Sequence, residues 1–271
     1  MTTREVQLVS LDILKDVHNF CVENNIKYSL SGGTLLGAIR HDGFIPWDDD
    51  VDIQLPRPDY NRFIHTFKSE KGYKLFSREV EGGEDVRIRL TKVCDMDRTY
   101  IEKGPYVWTD ANVGVGIDVI PVDGAPSSEA EMRIHLHKIV KLTRKQRCCL
   151  FKKAGINNIW RYDSLRDRII FFVSKVLSPF LSDNCVMDLI NEQKRYDYDS
   201  SDFFFAGPHY GMREWQPKKN MADYVLHKFE DAEFYIMSGY ENNLKSLFGD
   251  YMQLPPEEKR VSHEFNKYYW K

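Results

Sequence analysis

The segment Ser29 to Leu55, SLSGGTLLGAIRHDGFIPWDDDVDIQL, carries four aspartates within five residues. Two carboxylates about 4 Å apart repel by roughly 4 kcal/mol at an effective dielectric near 20. A fold holds such a cluster only in open water, with a shared proton, or around a cation. Read as a strand, Asp50-Val51-Asp52-Ile53 alternates with period two. Asp50 and Asp52 then share one face, with Asp48 at the start of the strand, and Val51, Ile53 and Leu55 face the core. Carboxylate oxygens suit a hard divalent cation, Mg²⁺ with Mn²⁺ as the alternative. Asp48, Asp50 and Asp52 are therefore candidate metal ligands.

The glycines upstream extend this reading. Ile26 to Leu30 reads as a strand and Leu35 to Arg40 as a short helix, with Ser31-Gly32-Gly33-Thr34 between them. Glycines at that junction let phosphate approach bare backbone N–H groups at a helix N-terminus. Gly32, Gly33 and Thr34 are candidate phosphate ligands, and Arg40 at the helix end is a further substrate-binding candidate. The competing reading is a glycine turn followed by a solvated acidic loop.

A second stretch, Val113 to Gly124, places one aspartate, Asp118, inside an apolar strand pattern. A buried carboxylate needs a partner, and a cation held by Asp50 and Asp52 would supply one. Asp123, just before Gly124, reads as a turn residue.

GGTLLGA followed by WDDDVD, then GIDVIPVDG and FGDYMQLPP, resembles the LicD family, which is related to fukutin and has a nucleotidyltransferase-like fold. The resemblance covers most of the chain. It implies transfer of a phosphorylated alcohol, such as phosphocholine from CDP-choline, onto a glycan hydroxyl of teichoic acid or lipopolysaccharide type, with release of CMP. It also places the family's third acidic residue at Asp118, which would help deprotonate the attacking hydroxyl. Lys92, with Thr99 after it, matches a family segment in which a Lys and a Thr recur, and is a phosphate-ligand candidate. Residues and spacing alone stop at metal-dependent phosphoryl or nucleotidyl transfer. A nucleotidyltransferase that passes a nucleoside monophosphate to a small acceptor, and a non-catalytic nucleotide-binding protein, are the alternatives.

Elsewhere, Glu5 to Glu23 reads as an amphipathic helix with Leu8, Leu11, Leu14, Val17 and Cys21 on its apolar face. Asp59 starts another helix. Tyr73 to Phe76 and Val86 to Val93 read as strands. In the latter, Arg87 and Arg89 share a face, either as phosphate ligands or on a solvated sheet surface. After Ala125 helical patterns dominate. Arg133 to Lys153 holds eight Lys or Arg and no acid, and Ser164 to Leu181 is strongly apolar. These read either as a basic surface helix beside a core helix, or as a surface that touches anionic lipid. Asp202 to Gly207 reads as a buried strand. Trp108, Tyr210 and Trp215 are candidates to cage a quaternary ammonium. Arg260 and His263, in a polar tail, either reach the site or are solvated.

The expected fold is α+β. A nucleotidyltransferase-like mixed β-sheet core spans residues 1–125, and a mostly helical region, 126–271, packs on it and completes the donor and acceptor sites. A net charge of −3 argues against nucleic acid as a partner. The five cysteines show no CxxC spacing, so reduced thiols are expected rather than a disulfide framework or a zinc site. The N-terminal sequence does not read as a secretory signal and no apolar run reaches eighteen residues. The expected location is the cytoplasm, with peripheral contact at the inner face of the cell membrane if the acceptor is lipid-linked.

Overall fold

The computed structural model describes residues 1–102, 109, 111–152, 155–161, 164–181, 184–260 and 267–271. In chain order the elements are α1 (Thr3–Glu23), β1 (Ser29–Leu30), α2 (Gly32–His41), β2 (Asp52–Pro56), α3 (Arg57–Thr66), β3 (Lys74–Phe76), β4 (Thr91–Cys94), β5 (Thr99–Glu102) and β6 (Gly116–Ala125). They continue as α4 (Glu129–Leu150), α5 (Leu165–Leu177), α6 (Cys185–Gln193), β7 (Phe203–Phe205), β8 (Trp215–Pro217), β9 (Tyr224–Phe229), β10 (Ala232–Met237), α7 (Tyr240–Phe248) and β11 (Lys267–Trp270). The fold is α+β, as expected.

The main sheet runs β1-β2-β6-β4-β3, with β7 and β8 added beyond the C-terminal half of β6. Only β2 and β6 are parallel in it. That pairing needs a long crossover, which α3 and the β3–β5 region supply. β6 is the spine. It pairs β2 on one side, and on the other β4 near its start and β7 near its end.

Helix α1 begins with a capping box, in which Thr2 Oγ1 accepts from Glu5 N–H and the Glu5 carboxylate accepts from Thr2 N–H. Its buried stripe is Val6, Val9, Leu11, Ile13, Leu14, Val17 and Cys21. Leu8, expected on that stripe, is instead exposed. The same core takes in Ile53, Leu55, Ile117 and Val119 from the sheet, and Phe229, Phe234, Ile236 and Leu244 from beyond residue 125. The second half of the chain thus helps fill the core of the first.

Several local readings change. Val86 to Leu90 is not strand; the strand begins at Thr91. Five strands follow Ala125 among the described residues, although helices predominate there. Asp123 is no turn residue. It lies in β6, and Arg57 Nε and Nη2 donate to its two oxygens at 2.6 and 2.8 Å. Arg57 also reaches Glu79 at 3.1 Å, and Lys194 joins Glu79 at 2.9 Å. Cys149 of α4 and Cys185 of α6 face each other with their sulfurs adjacent, a pairing that the expectation of reduced thiols did not include. Packing brings these two, 36 residues apart in sequence, to a Cα separation of 7.2 Å, wider than the ~4.4–6.8 Å span usual for a disulfide.

Candidate active site

The glycines are the first two residues of helix α2 rather than a loop before it. Ser31 stands at the N-cap without capping; its hydroxyl donates to Gln54 Oε1 at 3.2 Å. An α-helix leaves its first N–H groups without an intrahelical partner. Here those groups belong to Gly32, Gly33 and Thr34, and all three residues line one cleft. Gly32 has φ of +51°, a conformation that favours glycine. A Cβ on Gly33 would lie 2.6 Å from Asp48 Oδ2, so only glycine lets that carboxylate approach the helix end.

The acidic loop is held from below. Buried Gln7 of α1 donates from Nε2 to the carbonyl of Asp48 at 2.7 Å. Asp48 N–H closes a turn onto Ile45 C=O at 2.9 Å. Oxygens of Asp48, Asp49 and Asp50 all lie within 4.8 Å of one another, with Asp49 buried and Asp50 exposed. The strand proper begins at Asp52, so Asp50 precedes it. Asp52 N–H donates to Thr34 Oγ1 at 2.9 Å, and Ser31 N–H donates to Asp52 C=O at 3.0 Å. These bonds tie the helix N-terminus to the first residue of β2.

Asp118 is the register partner of Asp52 across the parallel β2–β6 pair, and Lys92 is its partner across the antiparallel β4–β6 pair. Neighbouring strands lie about 4.8 Å apart, so three charged residues share one row of the sheet. Lys92 Nζ is ion-paired with Asp118 Oδ1. Burial pushes the Asp52 carboxyl well above the usual carboxylate range, and Asp118, Asp50 and Asp48 add to the shift while Lys92 opposes it. Burial disfavours the Lys92 ammonium, but Asp118 outweighs it and holds the lysine charged. Oxygen donors and excess negative charge suit a hard divalent cation, for which Asp48, Asp50, Asp52 and Asp118 are candidates; among the described residues it is Asp48 and Asp50, with Asp49, whose oxygens gather within 4.8 Å.

The cleft measures about 380 Å³. Its floor is Asp48, Asp50, Asp52 and Asp118. The rest of its lining includes Arg89, Ala206, Gly207, His209, Tyr210 and Glu214, and the end of α7 at Leu247 and Phe248. The Arg89 guanidinium packs against Gly207, where a Cβ would lie 2.6 Å from Nη2. Its buried Nη1 has no hydrogen-bond partner among the described residues. Tyr210 meets Phe248 edge to face at 5.3 Å. Burial raises the Tyr210 hydroxyl to about 12, with Glu214, Asp52 and Asp48 contributing. Burial also raises the Glu214 carboxyl to about 7, with Arg89 opposing.

The other candidates sit elsewhere. Arg87 is not part of the cleft wall; its carbonyl accepts from Gln146 Nε2 at 2.6 Å. Arg40 donates to the carbonyl of Tyr251 at 2.9 Å and so fastens the segment after α7. Arg260 donates to Pro255 C=O at 2.8 Å and lies 5.7 Å over the Trp47 ring, beside the acidic loop but outside the cleft lining. His263 and Trp108 lie outside the described residues. Trp215 stacks on Phe203 and donates to Pro126 C=O at 2.8 Å, a packing role. The sequence does not mark Glu214, His209 or Phe248 as site residues, because nothing in their spacing ties them to aspartates some 160 to 200 residues earlier.

In-register carboxylates on a mixed sheet, beside a helix end whose first N–H groups have no intrahelical partner, suit an enzyme that moves a phosphate-bearing group. Comparison with known proteins agrees. A family model described as "LicD/FKTN/FKRP, nucleotidyltransferase domain" matches residues 25–115. The lipopolysaccharide cholinephosphotransferase LicD of Haemophilus influenzae is 33% identical over 279 residues, which span 99% of this chain and 98% of that protein. An uncharacterised protein of Rickettsia typhi is 44% identical over 66 residues, covering 23% of this chain and 21% of its own length. The chain belongs to the LicD family, and with it to the phosphotransferases.

Proposed function

We propose that the protein transfers phosphocholine from CDP-choline to a hydroxyl of a lipopolysaccharide glycan, with Mg²⁺ as cofactor and CMP as leaving group. The observation that carries this reading is the Asp52–Asp118 register pair at the N-terminus of α2, facing Tyr210 and Glu214 across one cleft. The full-length similarity to a lipopolysaccharide cholinephosphotransferase supports the choice of group and acceptor.

A bound Mg²⁺, held by Asp48, Asp50, Asp52 and Asp118, supplies neutralisation of the donor diphosphate. The chain's own groups do the rest. The N–H groups of Gly32, Gly33 and Thr34 donate to phosphate oxygens at the positive end of α2. Arg89 offers an unengaged guanidinium nitrogen to the same charge. The acceptor hydroxyl attacks the phosphorus that bears choline, the bond to the CMP oxygen breaks, and Asp118 takes the hydroxyl proton. Tyr210 and Phe248 present ring surfaces to the trimethylammonium group, and Glu214 supplies the opposing charge.

The test is incubation with CDP-choline, Mg²⁺ and a lipopolysaccharide acceptor, with product analysis by mass spectrometry. The expected product carries phosphocholine, and Asp50→Asn or Asp52→Asn lowers turnover by about a hundredfold or more while the fold survives. Nucleotide on the acceptor with pyrophosphate released points to a nucleotidyltransferase instead. Transfer from a CDP-polyol, or to teichoic acid, in preference to the proposed pair would replace the alcohol or the acceptor. Full activity in chelator sinks the metal assignment.

A further inference from the structure

Helix α5 is built inside out. Only Phe171 and Ser174 on it are buried. Leu165, Ile169, Phe172, Val173, Val176 and Leu177 are between 47% and 72% exposed. At about 100° per residue, these six fill an arc of about 140° opposite the buried stripe. The turn that follows exposes Phe180 at 84%, and Trp160 before the helix is exposed at 72%. Lys175 and Arg168 turn away from this arc, while exposed Arg166 falls within it. Lys175 Nζ donates to the carbonyls of Phe151 and Lys152 at 2.9 and 2.7 Å, stitching α5 to the end of α4. The Arg168 guanidinium lies 5.3 Å over the Trp160 ring. Of the two readings of this stretch, the core helix is overturned, because the packing leaves its apolar arc facing outward.

Charge selects what covers that arc. Residues 133–181 contain twelve Lys or Arg and two Asp, a net of +10 within a chain of net −3. On α4, which packs against α5, Lys141, Arg144, Lys145 and Arg147 are exposed. A second copy docked face to face would set +10 against +10. An anionic bilayer neutralises the charge and takes the apolar arc together. Thirteen residues of helix measure about 20 Å, short of the roughly 30 Å hydrocarbon core. Among the described residues no single helix is long and apolar enough to cross a membrane. The bent pair of α5 and α6 passes by length and composition, but α6 buries Val186, Leu189 and Ile190 within the protein.

We infer that the exposed arc of α5 docks the enzyme on an anionic lipid surface, with the helix lying in the interface plane and α4 supplying basic contacts. This rests on exposure and charge, independently of the donor and acceptor proposed above. It also refines the expectation drawn from the basic stretch, since the apolar contact comes from α5 and the charge from its neighbour.

The experiment is flotation of the whole protein with vesicles of phosphatidylcholine, with and without about a third phosphatidylglycerol, at low salt and near 0.5 M. Expected is binding to the anionic vesicles alone, weakened by salt. Phe172→Glu with Val176→Glu, both at exposed positions, should lower the bound fraction by about tenfold. Thermal unfolding and CDP-choline hydrolysis in solution should stay unchanged. Absence of anionic-vesicle binding, or binding that the double variant does not reduce, overturns the inference. Light scattering provides a third arm. A dimer that the double variant dissociates, with no vesicle binding, would assign the surface to a second copy.

Discussion

Lys92 and Asp118 face each other across the antiparallel β4–β6 pair, and their ammonium and carboxylate are in contact. Asp118 is also in register with Asp52. The lysine therefore tempers a row of carboxylates that would otherwise repel. It carries part of the positive charge that a divalent cation would bring.

Lys92→Met should lower thermal stability in metal-free protein. The pair is about a quarter exposed on each side, so the cost lies between surface and buried values, about 1 kcal/mol or a Tm fall of roughly 2–4 °C. Added Mg²⁺ should raise the Tm of the variant more than that of the natural protein, because Asp118 is left without its ammonium. Scanning calorimetry with and without Mg²⁺ checks this, and equal shifts in both proteins would rule out a shared cation.

Gly33→Ala should leave the fold intact and cripple the site. The added Cβ meets Asp48 Oδ2 at 2.6 Å, so the carboxylate must swing away. A displacement near 1 Å at a catalytic centre costs about a hundredfold in rate. Turnover assays alongside circular dichroism decide the matter; near-normal turnover would show that Asp48 does not contribute.

Glu214 should make donor affinity depend on pH near neutrality. Burial raises its carboxyl to about 7, so it is ionised above that pH and neutral below. Its attraction for a quaternary ammonium is present above pH 7 and lost as pH falls. KM for CDP-choline should therefore rise between about pH 7.5 and 6, and Glu214→Gln should flatten the profile at the high value. The sign for folding is opposite. A carboxyl raised in the native state favours folding at low pH, and that contribution is lost as pH rises through about 7. An unchanged KM profile in Glu214→Gln would remove the residue from the choline site.

Arg57→Met should be strongly destabilising without touching the chemistry. Arg57 is 8% and Asp123 2% exposed, and Glu79 shares the guanidinium. Removing one partner of a buried ion pair costs about 3–5 kcal/mol. Urea unfolding measures it, and Arg57→Met combined with Asp123→Leu should recover part of the loss. A loss below about 1 kcal/mol would mean that the pair is relieved by water.

The acidic and glycine elements of the site were legible because their signals are local. A period-two pattern assigns Asp52 to a polar strand face, and a glycine pair ahead of a helix marks a phosphate cradle. Asp118 was legible for a different reason, since a carboxylate within Ile117 to Pro121 needs a partner wherever the strand lies. Arg87 and Arg89 were read as equals because alternation treats them so. The chain bends from Ile88 to Leu90 instead of forming strand, and only Arg89 reaches the cleft. Asp123 was read as a turn residue because Gly124 follows it, whereas β7 extends β6 through both.

The sequence by itself determined the acidic cluster, the glycine-led helix and the α+β class, because each depends on neighbours within a turn or a strand. Only the tertiary structure decided three further things. It set Asp52, Asp118 and Lys92 in one row, since register between distant strands follows from how the whole sheet assembles. It brought Tyr210, Glu214 and Phe248 to the cleft across some 160 to 200 residues. It also turned the apolar arc of α5 outward. An apolar helix carries the same pattern whether protein or lipid covers it, and packing alone distinguishes the two.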